Sequence, residues 1–548
     1  MISNATVLKC IQSINPIKAA LIAGSLLFSC ALILLNNSGV LPLALGDFIF
    51  FSGLVFLCAL YRPGWVFLFF IGVLPFEIVT IAPQEIGFML RPYQWVGILT
   101  LIAVATRYAF GRLPFSIPKI RRLDWLLLLL WAGSLASAFY APNRNISLKQ
   151  SIVLLSFVAL YALVRIFVRT VEDVKNTLAF FIGSGVIVSL YAIWQNIRFA
   201  GASNAFEVMA GRPNSVFTEP DWMGAFLVVS IAAVYAMLWM YQKSKGSEKN
   251  FVPLDWKLPF ILTFRRIILT GLFVLLTLLY STLIISVSRS AWLSVAFVSL
   301  VAWGVVLADG ALLSMQQWKW RESLIYAMSL AATFVVSLGL AVLFHLTSFG
   351  LFNRAQSTAS GLQLITVACT HDILLPDTIA SVDELAAYDC RHINLEDKEA
   401  AANRGEIVKE IYRSDPNVSI RREIYAKTFG IIREHFLTGI GFGSIASFLG
   451  NDERGAGLNT SNIFLEVWIG SGLIGLFAFV CIWFSIGYAS LKRLWLRHTN
   501  NYLSAIYTFL FLSWIGLTVF NLFNAGLFLG FFWAWLAVAV SFAHKKAP

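Results

Sequence analysis

Long apolar runs recur along almost the whole chain, and they limit what it can fold into more than any other feature. Each is about twenty residues, the length that crosses a ~30 Å hydrocarbon core at 1.5 Å of rise per helical residue. In lipid, backbone N–H and C=O groups must be satisfied within a helix or a closed barrel. Runs of this length are far too long for barrel strands, so the segments are helices. Fourteen spans are expected, at approximately 18–36, 40–60, 64–83, 93–110, 124–140, 150–168, 176–197, 222–241, 267–287, 290–308, 324–346, 462–487, 502–522 and 525–543. Only 13% of the residues are charged, against about 25% in soluble domains, and mean hydropathy is +0.76. The expected class is an all-α polytopic membrane protein with one long loop between spans 11 and 12. Lys9 and Lys18 precede a run that reads as a first anchor rather than a cleavable signal.

The net charge of +12 is a topology signal rather than a nucleic-acid footprint. With the N-terminus inside, the inner segments hold 24 Lys and Arg and the short outer segments 6, while 11 lie in the long loop. Such a bias sets N-in, C-in topology and makes the long loop extracytoplasmic, although long loops do not themselves count in the rule. The chain then divides into an N-terminal bundle at 1–266 with an outer loop at 198–221, core spans at 267–346, a loop domain at 347–461 and C-terminal spans at 462–548. The middle of the loop domain, 373–412, reads as short helices. Residues 420–436 form an amphipathic helix, with Ile420, Ile424, Ile431 and Ile432 at helical spacing beside Tyr425 and Phe429. Cys10, Cys30, Cys58 and Cys481 sit in or near apolar runs. Cys369 and Cys390 share the long polar loop and are candidates for a disulfide.

Arg289 lies between two apolar runs with serines on both sides. A charge there costs several kcal/mol unless it reaches water or a partner, so it is either an edge-of-membrane anchor or part of an anion site. The outer face also gathers Arg212, Arg421 and Arg422, and the carboxylates Glu219, Asp221 and Glu466. Arginine suits multidentate phosphate contact. Several arginines at headgroup depth would hold a lipid pyrophosphate and stabilise charge as it departs. Each alone also fits interfacial snorkelling. The turn Gly439-Ile440-Gly441-Phe442-Gly443 is either a phosphate cradle or a helix stop. The six histidines show no metal-ligand spacing, and no phosphate-binding loop or dinucleotide fingerprint occurs, so neither metal nor cofactor is expected.

Ser288-Arg289-Ser290-Ala291, closing one span and opening the next, resembles a motif of the O-antigen ligase and Wzy-type polymerase superfamily. The superfamily's later signatures have counterparts here in the same order: Arg421-x-x-x-Tyr425, the Gly439–Gly443 turn, Asn462-Ile463-Phe464-Leu465 and Gly472-Leu473-Ile474-Gly475. Phe217-Thr218-Glu219-Pro220-Asp221 is similar to a segment of exopolysaccharide members. The resemblance covers roughly 265–490. It implies a GT-C-like, metal-independent glycosyltransferase of the bacterial cytoplasmic (inner) membrane. The donor would be an undecaprenyl-pyrophosphate-linked glycan, and the acceptor a hydroxyl on a glycan or lipid. Membrane lipids and other polysaccharide-assembly proteins would be its surroundings and partners, with no nucleic acid.

By position in that resemblance, Arg289 and Arg421 hold the pyrophosphate. Arg212, Arg422, Gly441, Gly443, Ser461 and Asn462 complete the binding set. Where ligases carry a histidine that activates the acceptor, this chain has Ser461, and a serine hydroxyl is a poor base at neutral pH. Glu219, Glu466 and His435 are the alternatives, with Glu219 favoured because Pro220 fixes the chain above a span. Helix capping is the other reading of Glu219. A polysaccharide or lipid-linked oligosaccharide transporter or flippase is the competing function. Such a protein should carry internal repeats and mid-membrane charge, whereas the charges here gather at one face.

Overall fold

The structure is a computed structural model that describes residues 16–87, 89–199, 212–243, 258–308, 318–346, 351, 361–393, 398–414, 416–451, 457–495 and 501–543. Lys9, Cys10 and residues 200–211, half of the outer loop at 198–221, lie outside them. The protein is a multi-pass helical bundle. Its helices are α1 (Pro16–Asn37), α2 (Leu45–Tyr61), α3 (Pro63–Gly72), α4 (Pro92–Ala109), α5 (Arg122–Tyr140), α6 (Arg144–Phe167), α7 (Val171–Phe199), α8 (Pro220–Lys243), α9 (Leu258–Ile285), α10 (Arg289–Ala308) and α11 (Trp320–Leu343). After an inserted sheet come α13 (Pro416–Glu434), α14 (Ile445–Leu449), α15 (Ile463–Trp495), α16 (Asn501–Asn521) and α17 (Gly530–Ala543), with α12 (Lys398–Asn403) inside the insert. Ten of the described helices are long and apolar enough to cross a membrane.

Two expected spans are cut short. The run at 64–83 is helical only to Gly72, because Pro75 removes an N–H and biases Leu74 away from helix. The run at 525–543 becomes α-helical only at Gly530, after a 3-10 turn at Gly526–Phe528. Both non-helical stretches are largely buried in protein, with Val73, Leu74, Phe76, Val79 and Leu527 at or below 1% exposure. Burial in protein is the condition under which irregular backbone is tolerated at membrane depth.

The centre of the bundle is α8. Phe226, Leu227, Val228, Ile231, Val234 and Tyr235 along it are fully buried. It packs on α16 and α10, while α15 packs on α5. That second contact needs Gly133, where a Cβ would stand 2.8 Å from the Ser471 carbonyl oxygen and 3.0 Å from the Gly475 nitrogen.

Between α11 and α13 the chain builds a small sheet from β1 (Leu362–Cys369), β2 (Thr378–Ile379), β3 (Cys390–Ile393) and β4 (Ile407–Ser414), in the order β2-β4-β1-β3. β1 runs antiparallel to β3 and β4, and β2 parallel to β4. The expectation of short helices over 373–412 is therefore corrected. A 3-10 helix at Val382–Tyr388 and α12 are present, but β-branched stretches such as Ile407-Val408-Lys409-Glu410-Ile411 alternate and pair as strands. Ile365, Val367, Ile379, Leu385 and Ile411 form a core of its own. Cys369 and Cys390 face each other across β1 and β3 and are disulfide-bonded. The amphipathic helix appears as α13, with Ile424, Thr428, Ile431 and Ile432 turned inward and Ile420 and Phe429 exposed.

Candidate functional site

The turn between α9 and α10 is built to hold Arg289 in one place. The Ser286 N–H closes α9 on the Thr282 carbonyl, and Val287 turns the chain with φ +52°. A β-branched residue in the left-handed region is strained by about 1–3 kcal/mol and persists only where its surroundings insist on it. Here Ser286 Oγ donates to the Leu283 carbonyl at 2.7 Å, and Trp292 Nε1 reaches back from α10 to the same carbonyl at 2.8 Å. The Trp292 N–H donates to the Ser288 carbonyl at 2.9 Å, making Ser288 the cap of α10. Arg289 is its first residue and is partly buried.

The serines on either side of Arg289 are claimed by two remote segments. Ser288 Oγ donates to Asp221 Oδ1, whose other carboxylate oxygen lies 3.7 Å from Arg212 Nη2. Arg212, only 6% exposed, also donates from Nε to the Ser286 carbonyl at 3.2 Å. Ser290 Oγ accepts from Asn524 Nδ2 at 2.8 Å. Asn524 belongs to the turn between α16 and α17, and that turn gathers the remaining residues. The Phe523 carbonyl accepts from Arg421 Nη2 at 3.4 Å, with the Arg421 guanidinium 5.5 Å from the Phe523 ring centroid. The Leu522 carbonyl accepts from Asn462 Nδ2 at 3.4 Å. Arg421 and Asn462, predicted separately from the sequence, thus meet at residues 522–524, a turn not singled out there, and Asn524 links it through Ser290 to the turn that carries Arg289 and is bonded by Arg212. The only local signal of the 522–524 turn is the pair Asn521 and Asn524 before Gly526, a turn composition without a motif.

A second unpredicted residue supports the Arg212 loop. The Glu77 side chain is 1% exposed and accepts from Arg91 Nη1 at 2.9 Å, Tyr93 Oη at 3.0 Å and the Gly530 N–H at 2.8 Å. Its own N–H and that of Ile78 both donate to the Val216 carbonyl, at 2.9 and 3.0 Å. Gln195 holds the adjacent turn, accepting from the Ser215 N–H at 2.7 Å and donating to the Ser215 carbonyl at 3.2 Å. Glu77 therefore ties three separate parts of the chain together: the unwound end of α3, the Arg212–Asp221 loop and the start of α17. Glu219 stands at the end of that loop, immediately before α8, and its carbonyl accepts from the Met223 N–H.

The glycine turn has a different setting. The Ile440 N–H donates to the Ile469 carbonyl at 2.7 Å, and the Gly441 N–H to Ser137 Oγ at 2.8 Å. A Cβ at Gly441 would lie 2.7 Å from Ser147 Oγ, and one at Gly443 2.5 Å from the Ile146 and Ser147 backbone. The turn is a close-packing joint between α5, α6 and α15, with the Ile440 and Gly441 N–H groups committed to protein. Gly472 answers it from α15, breaking that helix at φ +68° so that the Leu473 N–H reaches the Leu437 carbonyl at 3.1 Å.

The start of α15 is equally occupied. Asn462 Oδ1 caps it, accepting from the Phe464 and Leu465 N–H groups, and buried Glu466 accepts from the Thr460 N–H at 2.9 Å. Ser461 sits between them at φ +51°. Arg422 is exposed on α13, and His435 lies just beyond its end.

Below Arg289 a cavity of about 660 Å³ runs along α10 between α9 and α11, lined by Leu283, Ile284, Trp292, Val295, Trp303 and Phe334 among others. Trp303 is fourteen residues beyond Arg289, so the cavity extends about 21 Å from the arginine along the helix. Leu300, Trp303 and Phe334 expose its flank at the bundle surface.

No curated protein and no solved structure matches the chain. A family model described as O-antigen ligase matches residues 271–480. The match spans most of α9, the Arg289 turn, the sheet insert, α13, the glycine turn and the first half of α15, and leaves Arg212, Glu219 and Asn524 outside. Over that stretch, within a polytopic helical architecture, the chain is similar to the O-antigen ligase family.

Proposed function

We propose that the protein is a metal-independent glycosyltransferase that takes a glycan from an undecaprenyl-pyrophosphate donor and passes it to an acceptor hydroxyl, at the outer face of a bacterial cytoplasmic membrane. The observation that carries this reading is a linked set of contacts beside a long apolar cavity: Arg212 bonds the Ser286 carbonyl in the turn that leads into Arg289, Ser290 of the same turn bonds Asn524, and Arg421 bonds the adjacent Phe523 carbonyl. Such an arrangement suits a molecule with an anionic head and a long hydrocarbon tail. The guanidinium groups take the pyrophosphate, and the channel along α10 takes the isoprenoid units.

In the transfer, the acceptor oxygen attacks the anomeric carbon and its proton passes to a carboxylate. The bond to the pyrophosphate oxygen breaks with its electron pair on that oxygen, where charge develops opposite the arginines. Preorganised positive groups in a site shielded from water favour that charge without reorganisation. Glu219 is the proposed base. It stands at the end of the loop that carries Arg212, immediately before α8, where Pro220 fixes the chain above a span. Ser461 is not required to take a proton in this scheme.

Purified protein in proteoliposomes with a lipid-pyrophosphate glycan tests the reading by mass analysis of products. Longer lipid-linked chains identify polymerisation, and sugar on a different acceptor identifies ligation. Movement of the glycan lipid between leaflets without a new glycosidic bond would overturn the assignment in favour of transport, as would full activity in Arg289→Ala.

A further inference from the structure

A second cavity lies at the other end of the bundle, and its chemistry is different. Gln195 near the end of α7 bonds the Arg212 loop, whereas Lys175 at the start of the same helix is twenty residues away, about 30 Å along the axis. At Lys175 a cavity of about 230 Å³ opens between α6, α7, α8, α16 and α17. It follows α8 from Tyr241 to Val229, a depth of about 18 Å. Its wall is aliphatic and aromatic: Val164, Phe181, Ala233, Met237, Phe509 and Trp535 are typical. An apolar cavity of this kind does not hold water, and its lining loses dispersion contacts unless hydrocarbon fills it.

The polar groups of the cavity gather at its mouth, where the basic side chains Lys175, Arg265 and Lys18 stand with one exposed carboxylate, Glu172. Lys175 Nζ lies 3.7 Å from the Tyr502 ring centroid and 3.3 Å from Glu172, a side chain 68% exposed. Tyr241, at the same mouth, accepts through its carbonyl from Arg265 Nη2 at 2.9 Å. The Arg265 Nε is buried and has no hydrogen-bond partner among the described residues. Lys18 reaches the neighbouring Asn176 at 2.9 Å. A cationic rim over an acyl-length apolar slot is complementary to an anionic glycerophospholipid.

We propose that this cavity is a binding site for one anionic phospholipid, with an acyl chain along α8 and the headgroup phosphate held by Lys175 and Arg265. The site is separate from the Arg289 centre, and its test does not depend on the function proposed above. The full-length protein would be purified from liposomes containing equal phosphatidylglycerol and phosphatidylcholine with identical acyl chains, one carrying a photoactivatable group. The retained lipid is counted by native mass spectrometry and the labelled peptide mapped.

The expected result is about one retained phosphatidylglycerol per chain, at least fivefold preferred over phosphatidylcholine, with the label within 229–241 or 502–509. Lys175→Glu should reduce the preference below twofold, and Ala233→Phe should remove the label from α8. Equal retention of the two lipids by the unmodified protein would overturn the proposal. So would a label elsewhere, or an unchanged preference in Lys175→Glu. The comparison in unmodified protein holds whether or not either variant folds.

Discussion

Glu77→Ala removes one partner of a buried ion pair and, with it, the acceptor for the Tyr93 hydroxyl and the Gly530 N–H. Breaking a buried pair typically costs 3–5 kcal/mol, because the remaining charge is left uncompensated. Arg91 keeps a 25% exposed side chain and a bond from Nε to the Glu77 carbonyl at 2.9 Å, so its charge retains some solvation. The expected cost is therefore at the lower end, about 3 kcal/mol. Chemical unfolding of detergent-solubilised protein, followed by tryptophan fluorescence, measures it. A double-mutant cycle with Arg91→Met isolates the pair from the other bonds. The double variant should be less destabilised than the two single variants added together, since removing both charges leaves neither stranded. Product formation should fall in parallel, because the Glu77 and Ile78 N–H groups hold the Val216 carbonyl and so the loop carrying Arg212. A cost below about 1 kcal/mol, or a double variant as unstable as the summed singles, would refute the reasoning.

Arg421→Lys should retain charge but lose both the contact to the Phe523 carbonyl and the stacking on its ring. It should form product more slowly than wild type and faster than Arg421→Ala, which a product time course decides. Asn524→Ala removes the bond to Ser290 and should cost about 1 kcal/mol, lowering turnover severalfold while the protein still purifies as a folded monodisperse species. Gly443→Ala places a methyl group 2.5 Å from the Ile146 and Ser147 backbone and should lower stability by about 1–3 kcal/mol, read by thermal unfolding. Cys369→Ser with Cys390→Ser opens a bridge across a separation of 21 residues and should destabilise the sheet insert by about 3 kcal/mol. Limited proteolysis should then cut within 361–414 while the helical bundle stays intact.

Hydrophobicity and length are local properties, so the sequence alone located the apolar helices in order, although several of their ends differ by more than a few residues, and put Arg289 at a helix junction. The order of short motifs around Arg289 was likewise enough to point to the superfamily that the 271–480 match supports. Where an apolar run contained a single proline or a 3-10 turn of apolar residues, hydropathy did not register the break, and α3 and α17 were expected to be longer than they are. The strands of the insert were missed because runs of four to eight residues carry too little periodicity to separate strand from short helix.

What the tertiary structure decided is which residues share the site. Asn524 meets Ser290 across 234 residues, and Glu77 meets Gly530 across 453. Neither contact leaves a period or spacing in the chain, because a hydrogen bond between remote segments depends on how whole helices pack. The same packing gave the glycine turn its place as a joint between α5, α6 and α15. A cluster of glycines specifies that backbone comes close to something, and only the fold determines that here it is another helix.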